Sequence, residues 1–352
     1  MLDLRFVREH PEKVKDNVLR KNEKGDVDEL IRKDEERREL IHQVESLKNR
    51  RNVVSEEIAQ LKKNKEDASE LITEMQGVSR TIKEQDERLR EIEHELDAIL
   101  RFIPNMVHES VPEGKSAADN VEVRSWGKPT EKAYRKDHLE IGKTLDILDF
   151  ERGAKLSGSG FALYKGKGAT LERALINYML DYHLEHNGYQ EVLPPFLVNE
   201  ESMRATGQIP KLAEDMYKCQ DDDLYLIPTS EVPLTNIYRN EIMHEKDLTK
   251  KFCGYSACFR REAGSYGKET KGFLRVHQFN KVELVKFTRP EDSYNELESL
   301  VQDVEVLLQA LNVHYRVLLL CSGDTGFSSA KTYDLEVWSP CEERWLEVSS
   351  CS

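Results

Sequence analysis

The sequence lacks long apolar runs and regular spacings of cysteine. No stretch approaches the roughly 18 consecutive apolar residues that a membrane-spanning helix needs. The first residues, MLDLRFVREHPEK, lack the apolar core of a signal peptide. None of the six cysteines forms a C-x-x-C pair, so the sequence offers no zinc-binding spacing and no sign of a disulfide framework. These absences predict a cytoplasmic protein that does not enter a membrane.

The first hundred residues are poor in helix-breaking residues. Between Pro11 and Pro104 there is no proline, and the only glycines are Gly25 and Gly77. Apolar residues recur there with alternating spacings of four and three, which is the pattern of a coiled coil. The two seams are Leu40, Val44, Leu47, Val54, Ile58 and Leu61, then Leu71, Met75, Val78, Ile82, Leu89, Ile92, Leu96 and Ile99. The polar segment 62–70 separates them, so we expect an antiparallel hairpin of two helices. Such an arm could dimerise, brace a partner or reach a distant part of a large ligand.

The net charge of −14 does not favour general binding to nucleic acids, because affinity for phosphate backbones comes from local positive charge. The arm offers six basic side chains that could face RNA: Lys48, Arg50, Arg51, Lys62, Lys63 and Lys65. They alternate with acidic residues, so a solvated helix face explains any one of them more simply.

Beyond the heptads the composition changes. Residues 105–129 are rich in turn-forming residues and weakly periodic, so we interpret them as a linker. Glycine clusters in 148–169 suggest loops and hairpin turns, and 169–187 has the pattern of an amphipathic helix. A strand should follow, interrupted by the two prolines at 194–195.

The last third of the sequence is dominated by patterns typical of strands. These are 224–230, 251–262, 277–287, 315–321, 332–340 and 344–350. Only two helical patterns, 231–242 and 291–312, separate them. Consecutive strands without intervening helices predict a largely antiparallel sheet in an α+β domain.

The densest chemistry lies in residues 259–287. One strand should end in Arg260-Arg261-Glu262, and a basic loop with glycines follows. The next strand should carry five side chains at alternate positions, hence on one face: Arg275, His277, Phe279, Lys281 and Glu283. Arginine suits a phosphate because its planar fork donates two hydrogen bonds, and an aromatic ring gives a purine a stacking surface. An exposed hairpin with solvated ion pairs is the alternative.

This segment matches a known signature. Phe259-Arg260-Arg261-Glu262, followed by Arg275 to Phe279, resembles the second motif of class II aminoacyl-tRNA synthetases, F-R-x-E and then R-x-x-x-F. The longer string FRREAGSYGKETKGFLRVHQFNKVE closely resembles the seryl-tRNA synthetases. So do MLDLRFVREHPE, GSGFALYKG, TSEVPLTN and EVSSCS, and the resemblance runs along the whole sequence.

The resemblance implies a fold and an activity. Residues 1–104 would form a coiled-coil arm that binds tRNA, 105–129 the linker, and 130–352 a class II catalytic domain. The enzyme would use ATP and Mg²⁺ to convert L-serine to seryl-adenylate and transfer it to tRNA(Ser), with tRNA(Sec) left open as a second acceptor. Helix 169–187 and the strand near Pro195 resemble the first class II motif, which implies a homodimer. Both steps rest on positioning and charge neutralisation, so no protein nucleophile is needed.

The resemblance also implies roles for single residues. Arg260, the catalytic residue, would bridge the α-phosphate of ATP and the serine carboxylate. Glu262 would accept from the adenine amino group, Phe279 would stack on the ring, and the backbone near Val276 would touch it. The loop between Arg261 and Arg275 would meet the acceptor end of the tRNA.

The remaining roles concern serine and magnesium. Thr229 and Glu231 would hold the serine amino group, and Glu283 would lie against the polar end of the substrate. Glu347 would hold magnesium and phosphates, with Ser350 beside it. The complete sets are Thr229, Ser230, Glu231, Arg260 and Glu283 for serine, Arg260, Arg261, Glu262, Val276, Phe279, Glu347, Val348, Ser349 and Ser350 for ATP, and Glu347 and Ser350 for magnesium.

The glycine-rich third class II motif, with its arginine, is not found before the sequence ends at Cys351-Ser352. We therefore expect a catalytic domain that is incomplete at its C-terminal end, and no aminoacylation by these 352 residues alone. One alternative is a truncated or degenerate synthetase paralogue that binds ATP or tRNA without catalysis. Another is a structural coiled-coil protein whose second domain is only a scaffold.

Overall fold

The computed structural model describes residues 2–129, 136–263 and 272–352. The chain divides into two compact units. The first contains Met1–Glu109 and Glu113–Lys115, and the second contains Ser110–Pro112 and Ser116–Ser352. Within the described ranges, none of the helices has the length and apolar character that crossing a membrane requires.

The first unit is helical. Its helices are α1 (Leu4–Glu9), α2 (Pro11–Arg20), α3 (Val27–Asn64) and α4 (Ser69–Leu100). The carboxylate of Asp26 caps α3 by accepting from the backbone N–H of Glu29. Lys65 ends α3 in the left-handed conformation, and α4 runs back along α3, so the predicted antiparallel hairpin is confirmed.

The two heptad seams form the contact between α3 and α4. Val44, Met75, Ile82 and Ile92 are all buried, with at most 7% of their surface exposed. At the base of the hairpin, Val7 from α1 joins a core with residues from α2, α3 and α4. Burial of this stripe stabilises two helices that have few other apolar contacts, because helices in water depend mainly on packing.

The second unit combines helices with antiparallel strands, as the sequence predicts. The helices are α5 (His138–Thr144), α6 (Phe150–Ser157), α7 (Lys167–His186), α8 (Glu200–Ala205), α9 (Glu231–Thr235) and α10 (Ser293–Ala310). The strands are β1 (Val121–Trp126), β2 (Gln190–Glu191), β3 (Leu197–Asn199), β4 (Leu224–Leu226), β5 (Lys250–Phe259), β6 (Gln278–Phe287), β7 (Tyr315–Leu319), β8 (Tyr333–Ser339) and β9 (Arg344–Cys351).

The strands form three sheets, with the orders β1-β7-β8-β9, β2-β5-β6 and β3-β4. All pairs are antiparallel except β2 with β5. Helix α10 packs on the first sheet, where Val301, Val317 and Leu335 belong to one core cluster of buried residues. The α+β class expected from the order of elements is therefore confirmed.

Helix α6 contradicts a prediction made from the sequence. Sequence 148–169 predicts loops and hairpin turns, and this is wrong for residues 150–157, which form α6. The carboxylate of Asp149 caps that helix by accepting from Arg152 N–H. Gly153 is needed for close packing, since a Cβ there would lie 2.3 Å from the carbonyl oxygen of Phe161. A glycine that permits close approach therefore resembles, in sequence, one that permits a turn.

Two other segments differ from their patterns. The helical pattern 231–242 forms a helix only as far as Thr235, and turns follow. Within the predicted linker 105–129, residues 121–126 form β1, which pairs with β7 at the edge of a sheet. Five of its six residues are exposed, although Val121, Glu122, Val123 and Arg124 alternate as in a half-buried strand.

Candidate active site

The hairpin of β5 and β6 forms the floor of the candidate site. The two strands pair without interruption from Lys250 opposite Phe287 to Phe259 opposite Gln278. Phe279, Lys281 and Glu283 alternate along β6 and share one face. Arg275 and His277, predicted to continue this alternation, precede the strand, because β6 begins at Gln278.

Arg260 follows β5 directly and is held on three sides. Its backbone N–H donates to the carbonyl of His277 at 3.0 Å, and its Nε donates to the carbonyl of Pro228 at 3.4 Å. Its guanidinium lies over the ring of Phe279, 5.1 Å from the centroid. The ring Nδ1 of His277 lies 2.9 Å from the Arg260 carbonyl. His277, to which the sequence analysis gave no role, thus fixes the backbone of the arginine.

A second group gathers residues predicted to bind serine. The hydroxyl of Thr229 donates to Glu283 Oε2 at 2.6 Å, and the backbone N–H of Glu231 donates to the same oxygen at 3.2 Å. Lys281 Nζ lies 2.7 Å from Thr229 Oγ1 and 2.6 Å from Glu283 Oε2. Ser230 is completely buried, and its hydroxyl bonds to that of Ser256. The structure therefore brings this group together and adds Lys281, which had no assigned role.

The turn after Arg260 is shaped by Glu262. This residue has a φ of +52°, in the left-handed region that non-glycine residues seldom adopt. Its carboxylate forms an ion pair with Arg275. Asp215 accepts from the backbone N–H groups of Arg261 and Ala263, both at 2.8 Å. The loop expected to meet the tRNA acceptor end continues through 264–271, outside the described residues.

The third group lies on β8 and β9. Glu336 is opposite Glu347 and Asp334 is opposite Ser350, so β9 carries one extra residue between these pairs. This is a β-bulge at Val348, and because opposed residues share a face, it brings Glu347 and Ser350 to the same side. Together with Asp334 and Glu336 they line a cavity of about 450 Å³.

Other predicted ATP residues are placed differently. Ser349 is opposite Leu335, which is fully buried in the core, so the Ser349 side chain lies on the core face of the sheet. The side chain of Val348 is half exposed. Val276, between Arg275 and His277, is partly buried. Val276, Val348 and Ser349 could therefore offer a ligand backbone groups more readily than polar side chains.

Burial changes the acidity of the carboxyl groups in this region. It raises the pKa of Glu231, and the nearby charge of Glu283 adds to the effect, while Lys281 and Arg260 oppose it. Desolvation likewise raises the pKa of Glu347, although part of that side chain is open to solvent, and the charge of Arg260 opposes it. Burial raises the pKa of Asp334 to about 7. Arg260 therefore acts electrostatically on both the Glu231 and the Glu347 carboxyl groups.

The described residues contain no cluster of three or more His, Cys, Asp or Glu side chains arranged to hold a metal. Glu347 and Ser350 nevertheless place two oxygen donors on one face. Mg²⁺ is commonly bound by one or two carboxylates together with substrate phosphates. The donors present therefore fit an ion shared with a nucleotide and not one caged by protein alone.

Family models match both ends of the chain. Residues 1–107 match the seryl-tRNA synthetase N-terminal domain, and residues 217–352 match the class II core domain of tRNA synthetases (G, H, P, S and T). The serine–tRNA ligase of Chloroherpeton thalassium is 58% identical, over 100% of this chain and 84% of that protein. The serine–tRNA ligase of Pelotomaculum thermopropionicum is 56% identical, with the same two coverages.

Solved structures give the same result. The seryl-tRNA synthetase of Pyrococcus horikoshii, complexed with ATP, superposes with a TM-score of 0.93 and 36% identity, over 99% of this chain and 83% of that one. The cytoplasmic serine–tRNA ligase of Naegleria fowleri, in complex with AMP, has a TM-score of 0.87 and 29% identity, over 100% of this chain and 85% of that one.

Proposed function

Because the chain belongs to the seryl-tRNA synthetase family, we propose that it is a serine–tRNA ligase whose reaction takes place over β5, β6 and β9. The observation that carries this site is the position of Arg260. Its charge acts on Glu231 in the serine group and on Glu347 in the β9 group. A residue whose charge reaches both groups is suited to join an amino acid to a nucleotide.

The first step then needs little from the protein beyond alignment. The serine carboxylate, already ionised, attacks the α-phosphorus of ATP, and pyrophosphate leaves. Arg260 neutralises charge on both reacting groups. The hydrogen bond from its backbone N–H to the His277 carbonyl fixes the backbone from which the side chain extends. In the second step the terminal hydroxyl of the tRNA attacks the carbonyl of seryl-adenylate, and AMP leaves. Positioning in both steps replaces a nucleophile.

For ATP, the geometry supports the roles implied by the resemblance. Phe279 offers its ring to adenine, and Glu262, in the left-handed turn two residues after Arg260, offers a carboxylate. Its ion pair with Arg275 orients that carboxylate. Glu347 and Ser350 would hold Mg²⁺ beside the phosphates. When bound, the ion would neutralise phosphate charge and orient the leaving group.

For tRNA, we propose that the helical hairpin binds the tRNA through its tip. Lys48 and Arg50 pair with Asp86 and Glu74 along the hairpin, which reduces the charge they can offer. The exposed tip carries three more basic residues, Lys62, Lys63 and Lys65. Local positive charge there suits a phosphate backbone despite the acidic chain. The acceptor would be tRNA(Ser); use of tRNA(Sec), like a cytoplasmic location, stays a prediction.

We also propose a homodimer formed through α7 and the segment that follows it. Large apolar side chains are exposed there: Leu171, Tyr178, Leu193 and Leu197. Leu193 is 74% exposed beside the two prolines, where an isolated chain gains nothing from it. Sedimentation equilibrium should show a dimer that Leu193→Asp weakens. A monomeric wild type at micromolar concentration would contradict this interface.

The function itself is tested by exchange of labelled pyrophosphate into ATP, with a longer version of the chain that includes the third class II motif, because the 352 residues alone are not expected to aminoacylate. We expect exchange that depends on L-serine and is absent with L-alanine, because a site built to bond a hydroxyl rejects an analogue that lacks it. Exchange with alanine as strong as with serine would contradict the proposed specificity. Charging of tRNA(Ser), measured with labelled serine, then reports the second step separately.

A further inference from the structure

The hydroxyl of Thr229 has no hydrogen-bonding capacity left. It donates to Glu283 Oε2 at 2.6 Å, and it accepts from Lys281 Nζ at 2.7 Å. Its oxygen also accepts from the backbone N–H of Glu231 at 3.1 Å. A hydroxyl has one donor and two acceptor sites, so all three are engaged.

This saturation conflicts with the role proposed for Thr229 in holding the serine ammonium. An ammonium only donates, so it can bind Thr229 only if one of the present donors leaves. The Glu231 N–H, which also donates to Glu283 Oε2 at 3.2 Å, belongs to the start of α9, so the helix holds its position. The Lys281 ammonium ends a flexible four-carbon chain, and its side chain is 32% exposed, so it can withdraw to solvent.

We propose that, when serine is absent, the Lys281 ammonium occupies the position of the serine ammonium. Serine then binds by displacing it. This inference rests on the proposed serine-binding roles of Thr229 and Glu283. The two cations have the same chemistry, –NH₃⁺ donating to a hydroxyl and a carboxylate. Without substrate, Lys281 keeps Glu283 paired, since an unpaired, mostly buried carboxylate is unfavourable. Small molecules that lack an ammonium cannot displace it, so the exchange contributes to specificity.

Equilibrium dialysis with labelled L-serine tests the exchange without depending on catalysis. Lys281→Met removes the competing cation and keeps the chain length, so we expect the Kd for serine to fall about three- to ten-fold. The matched control is Lys250→Met, on β5 opposite Phe287 and about 20 Å along the hairpin, where the Kd should not change. An unchanged or higher Kd in folded Lys281→Met overturns the proposal. If that variant loses its thermal transition, Lys281→Gln is held to the same criterion.

Two further measurements separate this inference from the proposed site. If Thr229→Val and Glu283→Gln leave serine binding intact, the serine site itself is wrong and both proposals fall. If they weaken binding while Lys281→Met does not strengthen it, only the exchange falls. The Glu231 carboxyl is faced by Glu283 and Lys281 from β6 and by Arg260 at the end of β5. Removing Lys281 should therefore move the acid limb of serine binding to higher pH, and an unmoved limb counts against the proposal.

Discussion

The helical hairpin α3–α4 and the strand hairpin β5–β6 are both antiparallel pairs rich in charge, but they hold that charge in opposite ways. On the helical hairpin, hydrogen bonds from Arg88 and Lys33 lower the pKa of Glu36 and Glu95 respectively, and all four side chains border solvent. Beside the strand hairpin, burial raises the pKa of Glu231.

The difference shows which charges are available to a ligand. An exposed ion pair is satisfied by its partner and adds only about 0–1 kcal/mol to stability. A carboxyl group whose pKa is raised by burial is held in an unfavourable place, and a cation from a ligand can relieve that cost. Similar residue types therefore form exposed ion pairs on one hairpin and a buried charged group beside the other.

The largest expected effect is the contrast between two single substitutions, one of an arginine beside the strand hairpin and one of an arginine on the helical hairpin. Arg260→Ala should lower serine-dependent pyrophosphate exchange about 10²–10³-fold, because the variant loses charge neutralisation in the transition state. Arg88→Ala is the control, since among the described residues its guanidinium pairs with acids on the arm. Exchange should be unchanged there. Binding of tRNA should survive in both variants, and equal losses of exchange would break the comparison.

The second effect concerns stability of the arm. Ile92→Ala empties a fully buried seam position and should cost about 2–5 kcal/mol, measured as a lower melting temperature of the helical signal at 222 nm. Lys48→Ala removes an exposed pair with Asp86 and should cost no more than about 1 kcal/mol. Similar costs for the two variants would mean that surface charge, not the seam, holds the hairpin.

The third effect tests the sign of the pKa shifts near β8 and β9. The pKa of Asp334 rises from 3.8 to about 7 on folding, so the folded state binds more protons between those values. Stability of this sheet should therefore fall by about 2–4 kcal/mol as pH rises from about 4 to 7. The three tryptophans, Trp126, Trp338 and Trp345, lie in its strands and report its unfolding in urea. Asp334→Asn should flatten the dependence, and an unaltered slope would contradict it.

The sign is reversed for the arm. Because partners lower the pKa of Glu36 and Glu95, their contribution is present above the unfolded pKa and is lost as pH falls through the folded values. The helical signal at 222 nm should therefore weaken toward acid pH, while tryptophan fluorescence should show no such loss from this source.

The smallest expected effect is at the tip of the arm. Replacing Lys62, Lys63 and Lys65 with alanine together should weaken tRNA binding about ten-fold and reduce its dependence on salt, because phosphate contacts release counterions. Serine-dependent pyrophosphate exchange should not change. Filter binding at two salt concentrations measures the effect, and an unchanged salt slope would show that the tip does not touch RNA.

Much of this molecule could be predicted from local pattern. The heptad seam places Val44 and Ile92 correctly, because coiled-coil packing depends only on spacing along the chain. The β5–β6 hairpin is equally legible, since its strands are neighbours in sequence. The grouping of Arg260, Thr229 and Glu347 could not be predicted from local pattern, because these residues come from distant segments and only the resemblance linked them.

Other features could not be predicted from the sequence, and each has a physical reason. The bulge at Val348 is a shift of one residue in pairing, and it alone puts Glu347 and Ser350 on one face. Nothing in the string Glu-Val-Ser-Ser signals it. Lys281 was visible on the strand, but its link to Thr229 depends on a contact across 52 residues. Gly153 suggested a turn because packing and turning use the same residue type.

The seam between α3 and α4 also limits how this arm can change over generations. An insertion of one or two residues in α3 would rotate every later apolar residue out of the seam, while α4 would remain unrotated. Only whole heptads added to both helices together keep the two faces matched. Each such step lengthens the arm by about 10 Å, so the length of the arm can change only in steps of one heptad.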